Sequence, residues 1–165
     1  MFKIVSGVIV IHKHSLKVFP YLFLLLLSLT VTANEATSYG VGIGNSYSGL
    51  GINYGLLSEV EFKYVSTGVL GYSSLSGNIY GFGMGWMKTN LFDSKTPKHG
   101  ANIYVGIMNN NDKYNNAAYI GAGYLYFFNG IKNPGKTIGF TLVNGNEVDE
   151  FELKPSFQFA FGYQF

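Results

Sequence analysis

Beyond residue 33 the 165-residue chain offers few groups that could do chemistry. The one histidine there is His99, in the segment SKTPKHG beside Lys98. In a turn-like stretch of that kind a solvated imidazole is the expected reading, not a base or a metal ligand. There is no cysteine, so zinc or a transition metal lacks a plausible donor set, and no disulfide or lipid-modified cysteine is available. Glu147, Asp149, Glu150 and Glu152 cluster in VNGNEVDE and just after it. They could hold a divalent cation weakly, but a solvated acidic loop is the simpler account. No nucleophile stands next to a base, and the glycines make no strand–loop–helix cradle for a phosphate. No cofactor or metal is expected, and no catalytic residue is assigned.

The elements around these groups are more informative. Charged residues make up 12% of the chain and aromatics 17%, where a soluble domain ordinarily carries about 25% charged residues. From Ser38 onward, apolar and small or polar residues alternate with period two, broken by Gly, Asn, Ser and Pro clusters. These are strand and turn signals. Eight candidate strands place one set outward: Tyr39, Val41, Ile43; Leu50, Ile52, Tyr54, Leu56; Val60, Phe62, Tyr64; Tyr80, Phe82, Met84, Trp86; Ile103, Val105, Ile107; Ile120, Ala122, Tyr124, Tyr126; Ile138, Phe140, Leu142; and Phe157, Phe159, Phe161, Tyr163, Phe165.

The interleaved positions are mostly glycine, with Asn53, Asn102, Thr137, Thr141, Ser156 and Gln158 among them. A soluble sandwich would give the same alternation, with the apolar face as its core. A face made largely of glycine suits a confined, curved interior better than a solvated surface. The intrastrand charges Glu61, Lys63, Glu152 and Lys154 fall on that second face, so they form a candidate lumenal charge cluster. A lumenal charge is tolerated where a lipid-facing one is costly.

The expected fold class is therefore all-β, a closed antiparallel up-and-down transmembrane barrel of eight strands in residues 34–165. Closure removes the unpaired strand edges that a bilayer does not tolerate. Outward-facing loops are expected near 45–49, 66–77, 109–117 and 144–150, with opposite turns near 57–59, 88–100 and 129–135. A barrel of this size has an interior just wide enough for side chains to fill, which disfavours a pore. The many glycines cut the other way, since they could leave lumen space for a small apolar ligand.

Residues 1–33 read differently. YLFLLLLSLTV at 21–31 is an apolar block preceded by Lys13, His14 and Lys17 and followed by Val31-Thr32-Ala33. That is the pattern of a cleaved secretory signal peptide, with Asn34 as the first mature residue. The block is shorter than the ~20 apolar residues of a spanning helix. Without residues 1–33 the chain keeps 8 lysines against 9 acids, a formal charge of −1, so the whole-chain pI of about 8.7 comes largely from the leader. No basic footprint for nucleic acid is present.

The ending FQFAFGYQF resembles the C-terminal signature of bacterial outer-membrane barrel proteins, with Phe157, Phe159, Phe161, Tyr163 and Phe165 on the alternating aromatic positions. The resemblance is to the small eight-stranded class that includes the OmpA barrel and OmpX-like proteins. It implies the outer membrane of a Gram-negative bacterium as the location and the barrel-assembly machinery as the reader of the signature. It implies outer-membrane lipid and lipopolysaccharide as surroundings for what is expected to be a monomer. The expected role is non-enzymatic, in envelope structure or surface contacts. One alternative is a barrel that binds or passes a small hydrophobic molecule. Another is a lipid A-modifying enzyme: YFFNGIKNPGK is faintly similar to a region of the lipid A deacylases. That family uses a His and a Ser two residues apart, and Tyr126-Phe127-Phe128-Asn129 supplies neither.

Overall fold

The computed structural model describes residues 4–5, 8–9, 35–73, 77–92, 97–109, 116–147 and 150–165, with the side chains of 72–73, 77, 92, 109, 116–117, 146–147 and 150–154 outside that description. The chain falls into two units, Met1–Asn34 and Glu35–Phe165. In the first, Ile4–Val5 and Val8–Ile9 form a short antiparallel ladder. The apolar block at 21–31 and the expected cleavage position lie outside the described residues.

The second unit is a closed antiparallel barrel of eight strands: β1 Ala36–Gly44, β2 Gly49–Leu57, β3 Glu61–Ser73, β4 Gly77–Lys88, β5 His99–Asn109, β6 Asn116–Phe127, β7 Gly135–Glu147 and β8 Glu150–Gln164. Each strand pairs with its sequence neighbours, and β8 closes on β1, so the topology is up-and-down. The strand period that marks these segments has a direct cause. One side chain in two must leave a lumen only a few residues wide, and the other must fill it.

Burial divides the faces cleanly. Tyr39, Ile43, Ile52, Phe82, Ile103, Ile120, Phe140, Phe159 and their alternates lie exposed on the outer wall, as expected from the sequence. Seven of the eight expected outward sets agree with the structure, and the exception is β3. Phe62 and Tyr64 are buried in the lumen at 1% and 3% exposure, and the outward set of that strand is Glu61, Lys63, Val65 and Thr67. Register explains the inversion: Tyr64 lies between Gly55 and Gly85, which leave room for its ring, and Phe62 lies between Leu57 and Met87 in the apolar cluster. The expected loop at 66–77 is also largely strand, since β3 runs on to Ser73.

The interior is packed, not open. Phe62, Tyr64, Met87, Tyr104, Tyr119, Leu125, Phe127 and Val143 form one apolar cluster in the lumen. Ile131 joins it from the turn after β6, and its N–H donates to the carbonyl of Pro97 at 2.9 Å. That turn closes the end of the barrel where the chain enters and leaves.

Candidate functional site

Three places gather the polar or signature residues: the β1–β8 seam, the rim beside Trp86, and the lumen beneath the β1–β2 hairpin.

At the seam, Phe157, Phe159, Phe161, Tyr163 and Phe165 all point outward. Phe165 stacks on Tyr39 with ring centroids 4.8 Å apart, and its N–H donates to the Tyr39 carbonyl at 2.7 Å. Ser38 Oγ donates to the Phe165 main-chain oxygen at 2.6 Å while accepting from Gln164 Nε2 at 2.8 Å. The aromatic ladder continues sideways, with Phe140 stacked on Phe157 at 5.3 Å. The final residues thus fix the closing register of the barrel.

At the rim the structure corrects the lumenal charge cluster. Glu61 and Lys63 stand on the outer face, not in the lumen. Lys63 lies opposite Trp86 and Glu61 opposite Lys88 in the β3–β4 ladder. The Glu61 carboxylate is 3.2 Å from Lys88 Nζ and 3.9 Å from Lys63 Nζ, and it accepts from Trp86 Nε1 at 3.3 Å. Lys63 also approaches Glu35 at 3.8 Å. The physical reason is position: these charges end their strands, where outward side chains clear the apolar part of the wall. The side chains of Glu152 and Lys154, like those of Glu147, Asp149 and Glu150, lie outside the described residues. Replacing Lys63 with Met should shift the unfolding free energy in detergent by less than about 1 kcal/mol, because half-exposed ion pairs near 4 Å contribute little. A urea titration checks this. The much larger loss expected of a lumenal lysine would place its ammonium inside.

His99 lies in the outer aromatic belt. Its Nδ1 is 2.7 Å from the Tyr124 hydroxyl, and its ring meets Tyr126 edge-on at 5.2 Å. That places it as an interfacial side chain, away from the lumen.

The lumen holds the site that the sequence did not reveal. Asn45–Tyr47 form a single 3-10 turn, and with Ser48 they are folded into the barrel at no more than 1% exposure. The expected outward loop at 45–49 is therefore an internal plug. Gly44 and Gly49 adopt φ of +114° and +96°, which turns the chain inward and back. Ser48 is left-handed at φ +55°, a conformation costing about 1 kcal/mol for a residue with a side chain.

The plug is tied to the wall by hydroxyls. Tyr47 OH lies 2.9 Å from Thr137 Oγ1. Ser48 Oγ is 2.8 Å from both Ser66 Oγ and Tyr104 OH, and Tyr104 OH is 3.2 Å from Tyr119 OH. Asn53 Nδ2 donates to the Ser46 carbonyl at 3.2 Å, and Tyr64 OH donates to Asn102 Oδ1 at 3.2 Å.

The glycines on the inner wall take their meaning from these rings. A Cβ at Gly42 or Gly162 would overlap Tyr47, and one at Gly83 or Gly85 would overlap Tyr104 or Tyr64. With Gly106 against Tyr119, these glycines are the complement of four buried tyrosines, not ligand space. Only the pairing of many inward glycines with inward tyrosines could have signalled this, and the assignment of Tyr64 to the outside concealed it.

Chemically, the buried polar set is one of amides and hydroxyls: Asn45, Ser46, Ser48, Asn53, Ser66 and Asn102, with Thr137 and Thr141. A serine hydroxyl without an adjacent base is a weak nucleophile. Both amide atoms of Asn45, Ser46 Oγ and Thr141 Oγ1 are buried without a hydrogen-bond partner. No family model matches this chain, and comparisons with curated proteins and with solved structures return no match.

Proposed function

We propose that this chain is an integral outer-membrane barrel of a Gram-negative envelope, delivered by a cleaved leader, with a non-enzymatic role in envelope structure or small-area surface contact. The observation that carries the reading is the outer wall. On β4 it runs from Lys88 through Trp86, Met84, Phe82 and Tyr80 to Asn78, apolar between two polar ends. Ten residue steps at ~3.3 Å, tilted by about 40°, rise ~25 Å, the height of the apolar band of such barrels. On β7 the stretch from Lys136 to Asn144 behaves alike, rising ~20 Å by the same geometry. A continuous aromatic and aliphatic belt of this kind has no stable place in water.

The packed lumen supports a structural role over passage of a hydrophobic molecule. The hydroxyl-and-amide lining, with no imidazole or carboxylate among the described lumenal contacts, supports a non-enzymatic role over lipid modification. The aromatic seam at Phe165 is the part on which assembly machinery of the OmpX-like class would act. Fractionation with gel mobility before and after boiling tests the location. A membrane-bound product that migrates differently unboiled is expected; a soluble product with unchanged mobility would contradict it.

A further inference from the structure

The barrel wall is lower on one side, at the hairpin whose residues 45–48 are folded inside. β1 and β2 have nine residues each, whereas β3 has 13 and β8 has 15. β8 pairs with β1 only from Phe161 to Gln164, and Gly44 at the end of β1 lies against Ala160, so among the described residues the β8 edge from Pro155 to Phe159 has no strand beside it on the β1 side. Pro155 suits such an edge, because proline cannot donate to a ladder. Across the gap β3 pairs with β2 only as far as Val69. A Cβ placed on Gly71 meets open space there. Among the described residues, two free edges therefore flank a notch above the hairpin.

Both ladders point into that notch. Continuing the β1–β8 register beyond Ile43↔Phe161 sets Asn45 opposite Phe159 and Ser46 opposite Gln158. Continuing β2–β3 beyond Leu50↔Val69 sets Ser48 opposite Gly71. We propose that the β1–β2 hairpin has two positions, the tucked plug and an extended hairpin that lengthens both strands by two residues into the notch and uncovers the lumen.

Groups stand on both sides of this equilibrium. The tucked form gains the Tyr47–Thr137 and Ser48–Ser66–Tyr104 contacts and buries the Tyr47 ring. Among the described residues it leaves the Asn45 amide and the Ser46 hydroxyl buried without partners, holds Ser48 left-handed, and leaves stretches of β8 and β3 without a ladder partner on the hairpin side. Extension reverses each of these. Phe62, Met87, Phe127 and Ile131 would still close the opposite end, so the device gates a blind polar vestibule and not a through-pore. The inference concerns the barrel alone and does not depend on where the barrel resides.

Engineered cysteine pairs in this cysteine-free chain test it directly. Ser48→Cys with Ser66→Cys should bridge the tucked form, whose hydroxyls are 2.8 Å apart. Asn45→Cys with Phe159→Cys can bridge only in the extended form. Folded protein in micelles, mildly oxidised and run on non-reducing gels, should yield both intramolecular bridges. Asn45→Cys alone should react slowly with a small maleimide, and the Ser48–Ser66 bridge should abolish that reaction. Absence of the Asn45–Phe159 bridge together with an unreactive Asn45→Cys would overturn the proposal. If the double variants fail to fold, the labelling of Asn45→Cys decides alone.

Discussion

Replacing Tyr104 with alanine should lower the unfolding free energy by about 3–5 kcal/mol, the range for removing a large buried ring. Tyr104 is 1% exposed at the centre of the lumen, stacked on Tyr119 at 5.5 Å and hydrogen-bonded toward Ser48 and Ser66. Its loss leaves a hole above Gly83 and Gly106 that backbone cannot collapse to fill, because both glycines sit in continuous ladders. Tyr104→Phe keeps the ring and removes only the hydroxyl, so it should cost about 1–3 kcal/mol through the stranded serine hydroxyls. The two values, read from urea titrations in micelles, separate packing from hydrogen bonding. A neutral Tyr104→Ala would mean the lumen is not packed as described.

The outer wall gives the second large effect. Phe140 lies on β7 midway between Lys136 and Asn144, exposed at 43% and flanked by Tyr124 and Phe157. Phe140→Arg should cost about 2–4 kcal/mol for protein folded into lipid vesicles, as a cation at the middle of the apolar band does. A substitution of that kind on a water-facing surface ordinarily stays within about 0.5 kcal/mol. The titration therefore distinguishes a wall that meets hydrocarbon from one that meets water. Lys63→Met, at the rim, serves as the contrast with little effect.

These two sites differ in how far the sequence reveals them. Phe140 belongs to a period-two set bounded by polar residues, and nothing near it competes for the outward face, so the outer wall could be read strand by strand. The same holds for Phe157 to Phe165, whose alternation survives intact as the β8 seam. Tyr104 is harder to place, since its neighbours Ile103 and Val105 mark only the outward set and leave the inward one to be inferred.

On β3 the pattern misleads, because the largest apolar side chains, Phe62 and Tyr64, fill the lumen while Glu61 and Lys63 clear the rim. Val65 and Thr67, further along the same strand, carry the parity that shows it, since both face outward with Glu61 and Lys63. Asn45-Ser46-Tyr47-Ser48 is the least legible segment. Its composition is that of an exposed turn, and its inward fold depends on glycines at 42, 51, 68 and 162 that come together only when the barrel closes. Local propensity carries no record of such a contact.

The most direct test of a lipid-facing wall uses the protein's single tryptophan, Trp86, which projects outward beside Lys63 and Lys88. The measurement is its fluorescence after folding into vesicles of phosphatidylcholine whose acyl chains are either unbrominated or brominated close to the headgroup, the depth of the rim. Strong quenching by the brominated chains, with a blue-shifted emission maximum, is the expected result. Equal intensity in both lipids, with the emission of a water-exposed indole, would contradict the assignment of this wall to the bilayer.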